Sequence, residues 1–331
     1  GSCRYKLPEN LSDPVYPELF QKFTEKEISY FFYIGGNDSM DTVNKLSAYA
    51  KRISSDIRFA GIPKSIDNDL PHTDHTPGYG SAAKYIAASI AEMAHDVKIY
   101  DIPCVTIIEL MGRNAGWLTG AAALARSEYN ELPQLIYLPE VDFDKDEFIE
   151  DVKNELKKSN CVMVAVSEGI HDSDGNYINA GTSDTFGHDQ LGGAAKTLEF
   201  LVKEKLHIKC RSVEINIMQR CAAHMAAGTD IREAYELGIA GAKYAIEGNT
   251  GFIPVLKRIS DAPYRSVIEY ADLKSIANVE KKVPLEWINK AHNNVTDNML
   301  EYVKPLIKGE IMLPYKNGLP DYLWQDTKYM D

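Results

Sequence analysis

Ile28-Ser29-Tyr30-Phe31-Phe32-Tyr33-Ile34-Gly35-Gly36-Asn37-Asp38-Ser39 is an apolar run that stops at two glycines and passes directly into residues of helical period. Apolar runs of this length, bounded by glycine, read as buried strands. Residues 39–53 then put Met40, Val43, Leu46 and Ala50 on one face, the stripe of an amphipathic helix. The succession recurs along the chain. Further strands are expected near 57–60, 104–110, 134–138, 161–167, 212–218 and 251–256. Helices are expected over 79–97, with Ala83, Ile86, Ile90, Met93 and Val97 inward, and over 148–156, 191–206 and 231–246. Short apolar strands alternating with amphipathic helices predict an α/β protein whose parallel sheets are wrapped by helices. Residues 171–181, with the Asp174-Gly175 turn signal, read as a surface hairpin or loop. From Lys257 onward Pro263, Pro284, Pro305, Pro314 and Pro320 interrupt short helical stretches, and this tail is expected to pack on the main body.

The chain has 331 residues, 44% apolar and 25% charged, enough for a large core and more suited to two domains than one. No stretch has the roughly 18 consecutive apolar residues of a membrane span, and no signal-peptide plan opens the sequence. A cytoplasmic location is the expectation. The five cysteines are widely spaced with no C-x-x-C pair, so neither a disulfide framework nor a zinc site is indicated. A net charge of −12 argues against a nucleic-acid partner. A small anionic substrate remains compatible, because local Arg and Lys dominate within a Debye length of about 10 Å.

Three turns at predicted strand ends carry residues suited to chemistry. In Ile34-Gly35-Gly36-Asn37-Asp38-Ser39 the glycines let backbone N–H groups approach a phosphate at a helix N-terminus, although a simple tight turn capped by Asp38 or Ser39 fits the same residues. In Pro63-Lys64-Ser65-Ile66-Asp67-Asn68-Asp69 an extended backbone sets Asp67 and Asp69 on one side, as a base and a magnesium neighbour, with Lys64 as a point charge for phosphate. A polar turn capped by Asp67 is the alternative. In Glu109-Leu110-Met111-Gly112-Arg113-Asn114 the arginine either clamps a phosphate or lies on the surface. Ser167-Glu168-Gly169 ends a fourth strand, and Arg211 and Arg220 bracket a fifth. Ligand sites in open α/β sheets gather at one sheet edge, which favours reading these turns together. His72-Thr73-Asp74-His75 lacks the helical spacing of a zinc site and is expected to be structural. Lys84 and Lys196 read as solvated helix faces.

Gly35-Gly36-Asn37-Asp38-Ser39, Pro63-Lys64-Ser65-Ile66-Asp67-Asn68-Asp69, Met111-Gly112-Arg113 and Met218-Gln219-Arg220 together resemble, in order and spacing, the motifs of the 6-phosphofructokinases. The resemblance runs from Gly1-Ser2-Cys3-Arg4, similar to a segment with a phosphate-binding arginine, to about Asp261. It implies two doubly wound, Rossmann-like domains with the active site in the cleft between them. Residues 1–78 and 219–265 are expected to bind the phosphoryl donor, residues 79–218 to bind fructose 6-phosphate, and residues 266–331 to form an extension packed on the core. The chain begins past the family's first strand and glycine-rich phosphate loop, so roughly one βαβ unit of the first domain is expected to be absent.

Under this resemblance Asp67 is the base for the 1-hydroxyl of fructose 6-phosphate, and Arg113 stabilises the transferring phosphoryl group. Ser65, Met111 and Gly112 border the sugar phosphate, Glu168 holds its hydroxyls, and Arg220 binds its 6-phosphate. Arg4, Gly35, Gly36, Asp38 and Lys64 face the donor. Arg211 matches an arginine that reaches in from a neighbouring subunit, which implies a homodimer or homotetramer. Asp38 and Lys64 stand at two positions that distinguish the pyrophosphate-dependent branch: an Asp crowds and repels a nucleotide's α-phosphate, and a Lys compensates free pyrophosphate. The implied activity is reversible, magnesium-dependent transfer of phosphate from pyrophosphate to fructose 6-phosphate in glycolysis. An ATP-dependent enzyme and a catalytically silent subunit are the other readings. Asn37 occupies a position where many members have aspartate, so Asp69 is the preferred carboxylate for magnesium, with Asn37 beside it.

Overall fold

The computed structural model describes residues 5–178 and 193–322. In chain order the first half forms α1 (Val15–Glu25), β1 (Tyr30–Gly35), α2 (Asn37–Arg52), β2 (Arg58–Pro63), α3 (Tyr79–Val97), β3 (Cys104–Leu110), α4 (Trp117–Ala121), β4 (Leu135–Tyr137) and α5 (Lys145–Leu156). The second half forms β5 (Cys161–Ser167), α6 (Ala194–Leu206), β6 (Lys209–Glu214), α7 (Met218–Cys221), α8 (Gly228–Ile246), β7 (Phe252–Asp261), β8 (Tyr264–Asp272) and α9 (Asp297–Val303).

These strands make two four-stranded sheets, ordered β1-β2-β7-β8 and β4-β5-β3-β6. The second is parallel throughout. Its central strands β3 and β5 are buried at every position, which explains their continuous apolar sequence. In the first sheet only the β7–β8 pairing is antiparallel.

Helices cover both faces of each sheet. On the second sheet, α3 and α4 bury Ile86, Ile90 and Leu118 against Ile108 and Ile136. The tail joins that core through Val283, Ile288, Met299, Val303 and Leu306. The opposite face packs Phe148, Val152, Leu198 and Val202 against Ile107 and Val164. On the first sheet, α1 and α2 bury Tyr16, Phe20, Met40 and Val43 with Phe59 and Val255. Its other face joins Ala245 of α8 to Ala60 and Phe252. The result is the doubly wound α/β arrangement expected from the sequence. No described helix is long and apolar enough to cross a membrane.

Several boundaries differ from expectation. The strand placed at 212–218 lies earlier, because its parallel register with β3 ends at Glu109 opposite Glu214. Ile217 instead precedes α7 as its N-cap, and Met218 is the first residue of that helix. Beyond Lys257 the chain continues as strand to Asp261 and returns through Ala262-Pro263 as β8, not as a short helix. β8 is an edge strand that buries none of its residues, so its apolar signal is weak. The helix expected at 191–206 is described from Ala194, and the hairpin at 171–181 is described only to residue 178, with His171 bridging Tyr177. Lys84 is not a solvated lysine: its side chain is 14% exposed and its ammonium donates to the Gly309 carbonyl and the Glu310 carboxylate. Lys196 stays half exposed beside Glu199.

Candidate active site

β1 and β2 are parallel neighbours, so their C-terminal turns lie side by side. The Lys64 N–H donates to the Gly35 carbonyl at 3.1 Å. Gly35 is required locally, because a Cβ there would stand 2.1 Å from the Ser39 hydroxyl. Asn37 and Asp38 then open α2, where unpaired backbone N–H groups favour an anion. The Asp38 and Lys64 side chains are exposed.

The segment after Pro63 is not extended, as the i, i+2 argument assumed. Ile66 and Asp67 form a turn, and Asn68 is left-handed with φ 56°. The two carboxylates therefore flank a kink. Electrostatics still couples them. Burial pushes the Asp67 carboxyl above the ordinary carboxylate range and the Asp69 charge adds to this, while Lys64, the Ser65 hydroxyl and Arg220 pull it down. Burial likewise raises Asp69, opposed by a 3.0 Å hydrogen bond from the Asn37 amide.

The second sheet delivers its residues at the ends of β3 and β5. The Met111 N–H donates to the Gln219 side chain at 3.1 Å, and the Gly112 N–H to the Glu168 carboxylate at 3.2 Å. The Ser167 hydroxyl donates to the Gly112 carbonyl at 2.6 Å. Gly112 has φ 126°, a conformation that only glycine adopts without strain. Gly169 lies under the Arg113 backbone, and a Cβ on it would fall 1.8 Å from the Arg113 carbonyl oxygen. Glu168 is raised by burial, eased by the Gly112 N–H; the Glu109 and Asp67 charges raise it further and Arg113 lowers it. Asp67 thus senses Arg220 and Glu168 senses Asp67, which brings the strand ends of both sheets to one place. Two protonation-prone carboxyls among Lys64, Arg113 and Arg220 suit a reaction that removes a proton while anionic charge moves.

A family model described as phosphofructokinase matches residues 1–243. The chain belongs to the phosphofructokinase family. It is 42% identical over 329 residues to the pyrophosphate–fructose 6-phosphate 1-phosphotransferase of Methylococcus capsulatus (strain Bath), covering 98% of this chain and 78% of that one. It is 43% identical over 329 residues to the enzyme of the same name from Xanthomonas campestris pv. campestris (strain B100), covering 98% and 79%. The fold is similar to the crystal structure of pyrophosphate-dependent phosphofructokinase from Nitrosospira multiformis, with a TM-score of 0.88, 40% identity, and coverage of 98% of this chain and 77% of that one.

Of the residues singled out from the phosphofructokinase motifs, Arg211 lies elsewhere. Arg4 is outside the described residues. Arg211 sits within β6 opposite Thr106, where it donates to the Asp96 carboxylate and the Thr106 hydroxyl. Thr106 lies four residue steps, or about 13 Å along the strand, before the end of β3, so the Arg211 backbone is remote from its own chain's pocket. Motif reading also missed Glu109, the one buried acid in the largely apolar strand β3. Its carboxylate accepts the Gly193 and Ala195 N–H groups at 3.2 and 2.8 Å, anchoring the start of α6. A lone acid in β3 was the available signal.

Proposed function

We propose that this chain is a reversible pyrophosphate-dependent 6-phosphofructokinase of glycolysis, transferring phosphate to the 1-hydroxyl of fructose 6-phosphate to give fructose 1,6-bisphosphate. The observation that carries the reading is Asp67, a carboxyl raised by burial and set one turn from Lys64. In this reading Asp67 accepts the hydroxyl proton as the oxygen attacks the terminal phosphorus of pyrophosphate. The bridging P–O bond breaks, and inorganic phosphate leaves with the electron pair. Lys64, the Gly35-Gly36 turn and the first turn of α2 hold the donor, and Arg113 offsets charge on the transferring group. Met111, Gly112 and Ser65 border the sugar phosphate. Glu168 orients its hydroxyls and Arg220 meets its 6-phosphate. The exposed Asp38 carboxylate disfavours a nucleotide at the same place.

The residues present fit magnesium. Asn37 Oδ1 and Asp69 Oδ1 are buried oxygens with no hydrogen-bond partner, the kind of donor a hard cation takes. No group of three or more His, Cys, Asp or Glu forms a closed cage among the described residues. Magnesium needs none, because it keeps several waters. When bound, it neutralises phosphate charge. The reading also places the enzyme in the cytoplasm as a homodimer or homotetramer, with Arg211 serving a neighbouring subunit's pocket, consistent with its distance from its own.

The test is phosphorylation of fructose 6-phosphate with magnesium, with pyrophosphate and ATP assayed in parallel. Turnover with pyrophosphate supports the reading, turnover with ATP alone reverses the donor, and turnover with neither points to a silent subunit. Lys64→Gly is expected to lower kcat with pyrophosphate by about 10²–10³-fold, the usual cost of removing one charge-stabilising donor. Gly169→Ala should lower kcat by about 10²-fold, because the new methyl displaces the Arg113 backbone and ångström-scale misplacement has that cost. Steady-state kinetics on both variants checks these values, and unchanged turnover in Gly169→Ala would show that the 111–113 turn does not control the chemical step.

A further inference from the structure

We propose that Lys281 and Tyr302 are positioning residues for this reaction: they hold Asn68 and the Asp69 backbone, and through them fix where the Asp67 and Asp69 carboxylates point. The proposal rests on the phosphotransferase reading. Both residues lie beyond the 243 positions matched by the family model, in the tail that packs on the core.

Asn68 is fully buried and left-handed, between the two carboxylates. Asparagine tolerates that conformation better than most residues, yet it stays there only if its surroundings hold it. Its Oδ1 accepts the Thr76 N–H at 3.0 Å and the Lys281 ammonium at 3.3 Å. Its Nδ2 donates to the Tyr302 hydroxyl at 2.8 Å. That hydroxyl in turn donates to the Asp74 carbonyl at 2.6 Å. Two of the three bonds that fix this amide therefore come from the tail.

Lys281 holds the loop in a second way. Its backbone N–H donates to the Asp69 carbonyl at 2.7 Å. Its ammonium reaches the carbonyls of Thr73 and Asp74 at 3.2 and 2.7 Å in addition to Asn68. Three donors meet three acceptors, so the buried ammonium is fully satisfied and is specific to this loop shape. The Trp117 indole N–H closes the arrangement by donating to the Lys281 carbonyl at 2.8 Å, and its ring lies 5.1 Å from the ammonium. Tyr302 is clamped with ring centroids 5.1 Å from Trp117 and 5.4 Å from Trp287. A rigid wall on the second sheet's core thus reaches across to shape a loop that follows a strand of the first.

Loss of the Tyr302 hydroxyl would free one side of the Asn68 amide and leave the aromatic packing in place. The experiment is Tyr302→Phe in the full chain, with kcat and both KM values measured per folded molecule and amide hydrogen exchange followed at 66–76. The expected result is a kcat lower by about 10–100-fold, since misplacing reacting groups by about an ångström has that cost. Both KM values should stay within about twofold, and exchange at 66–76 should quicken while β3 and β5 keep their protection. Lys281→Met should give the same split with a larger kcat loss. If that variant does not fold, Tyr302→Phe alone decides. A kcat within twofold of wild type, or a loss confined to one KM, overturns the proposal. Variants are compared with wild type on whichever donor supports turnover. If wild type turns over with neither, the function reading fails separately, and exchange at 66–76 still decides whether the tail holds the loop.

Discussion

Replacing Asp67 with alanine is expected to lower kcat for phosphoryl transfer from pyrophosphate by about 10²–10⁴-fold, the span general-base removal covers. Burial and the neighbouring Asp69 charge make this carboxyl a stronger proton acceptor than an exposed aspartate, while Lys64 and Arg220 preserve a share of its ionised form. The hydroxyl of fructose 6-phosphate becomes acidic only as its oxygen bonds to phosphorus, so the base acts in the transition state and not in the bound substrate. KM for fructose 6-phosphate should therefore stay level, or fall slightly as a negative charge leaves the neighbourhood of an anionic substrate. Asp67→Asn, which keeps the shape of the turn, should lose as much kcat as Asp67→Ala. Steady-state kinetics with calorimetric binding of fructose 6-phosphate separates the two effects. A loss below tenfold would move the base elsewhere, and Glu168, a raised carboxyl near Asp67 that is not assigned to magnesium as Asp69 is, would be the candidate.

Legibility in the sequence followed the range of the interaction. β3 and β5 were placed at their observed limits because strands buried on both faces are apolar at each position. β8 was lost because its partner β7 covers only one edge and none of its residues is fully buried. Motif residues at strand ends were found because glycine, charge and strand termini coincide locally. Their geometry was not: the left-handed turn at Asn68 depends on Tyr302 and Lys281, more than 200 residues away, which leave no mark on the local pattern. The same holds for His75. Its loop lacks the spacing of a zinc site, which left a structural role as the expectation, and its second carboxylate partner, Glu233, lies on a distant helix.

That partner makes His75→Phe the largest stability change expected outside the pocket, a loss of about 3–5 kcal/mol, as when one member of a buried charge cluster is removed. His75 is 1% exposed, with Nδ1 2.8 Å from an Asp74 oxygen and Nε2 2.7 Å from a Glu233 oxygen. Two carboxylate acceptors favour a proton on each ring nitrogen, the imidazolium form. Burial alone would lower its pKa, but the hydrogen bonds to Asp74 and Glu233 outweigh burial and leave it raised. Burial would raise Asp74 and Glu233, yet His75, with Arg258 on Asp74 and Ser266 and Tyr264 on Glu233, holds both below the ordinary range. The signs then set the pH window. A raised histidine contributes its full stability below the unfolded value of about 6.5 and loses it as pH rises through the folded value. Lowered carboxylates contribute above their unfolded values of about 3.9–4.3 and lose that stability as pH falls through their folded values. The gap between wild type and His75→Phe should therefore be widest between about pH 4.3 and 6.5. Above 6.5 it should narrow by up to about 1.4 kcal/mol per pH unit until the folded value is passed. Urea unfolding at pH 5.5 and 8.5 measures both. Glu233→Gln added to His75→Phe should restore part of the loss by removing one uncompensated charge. A gap that is small and independent of pH would mean that the ring is neutral in the folded protein.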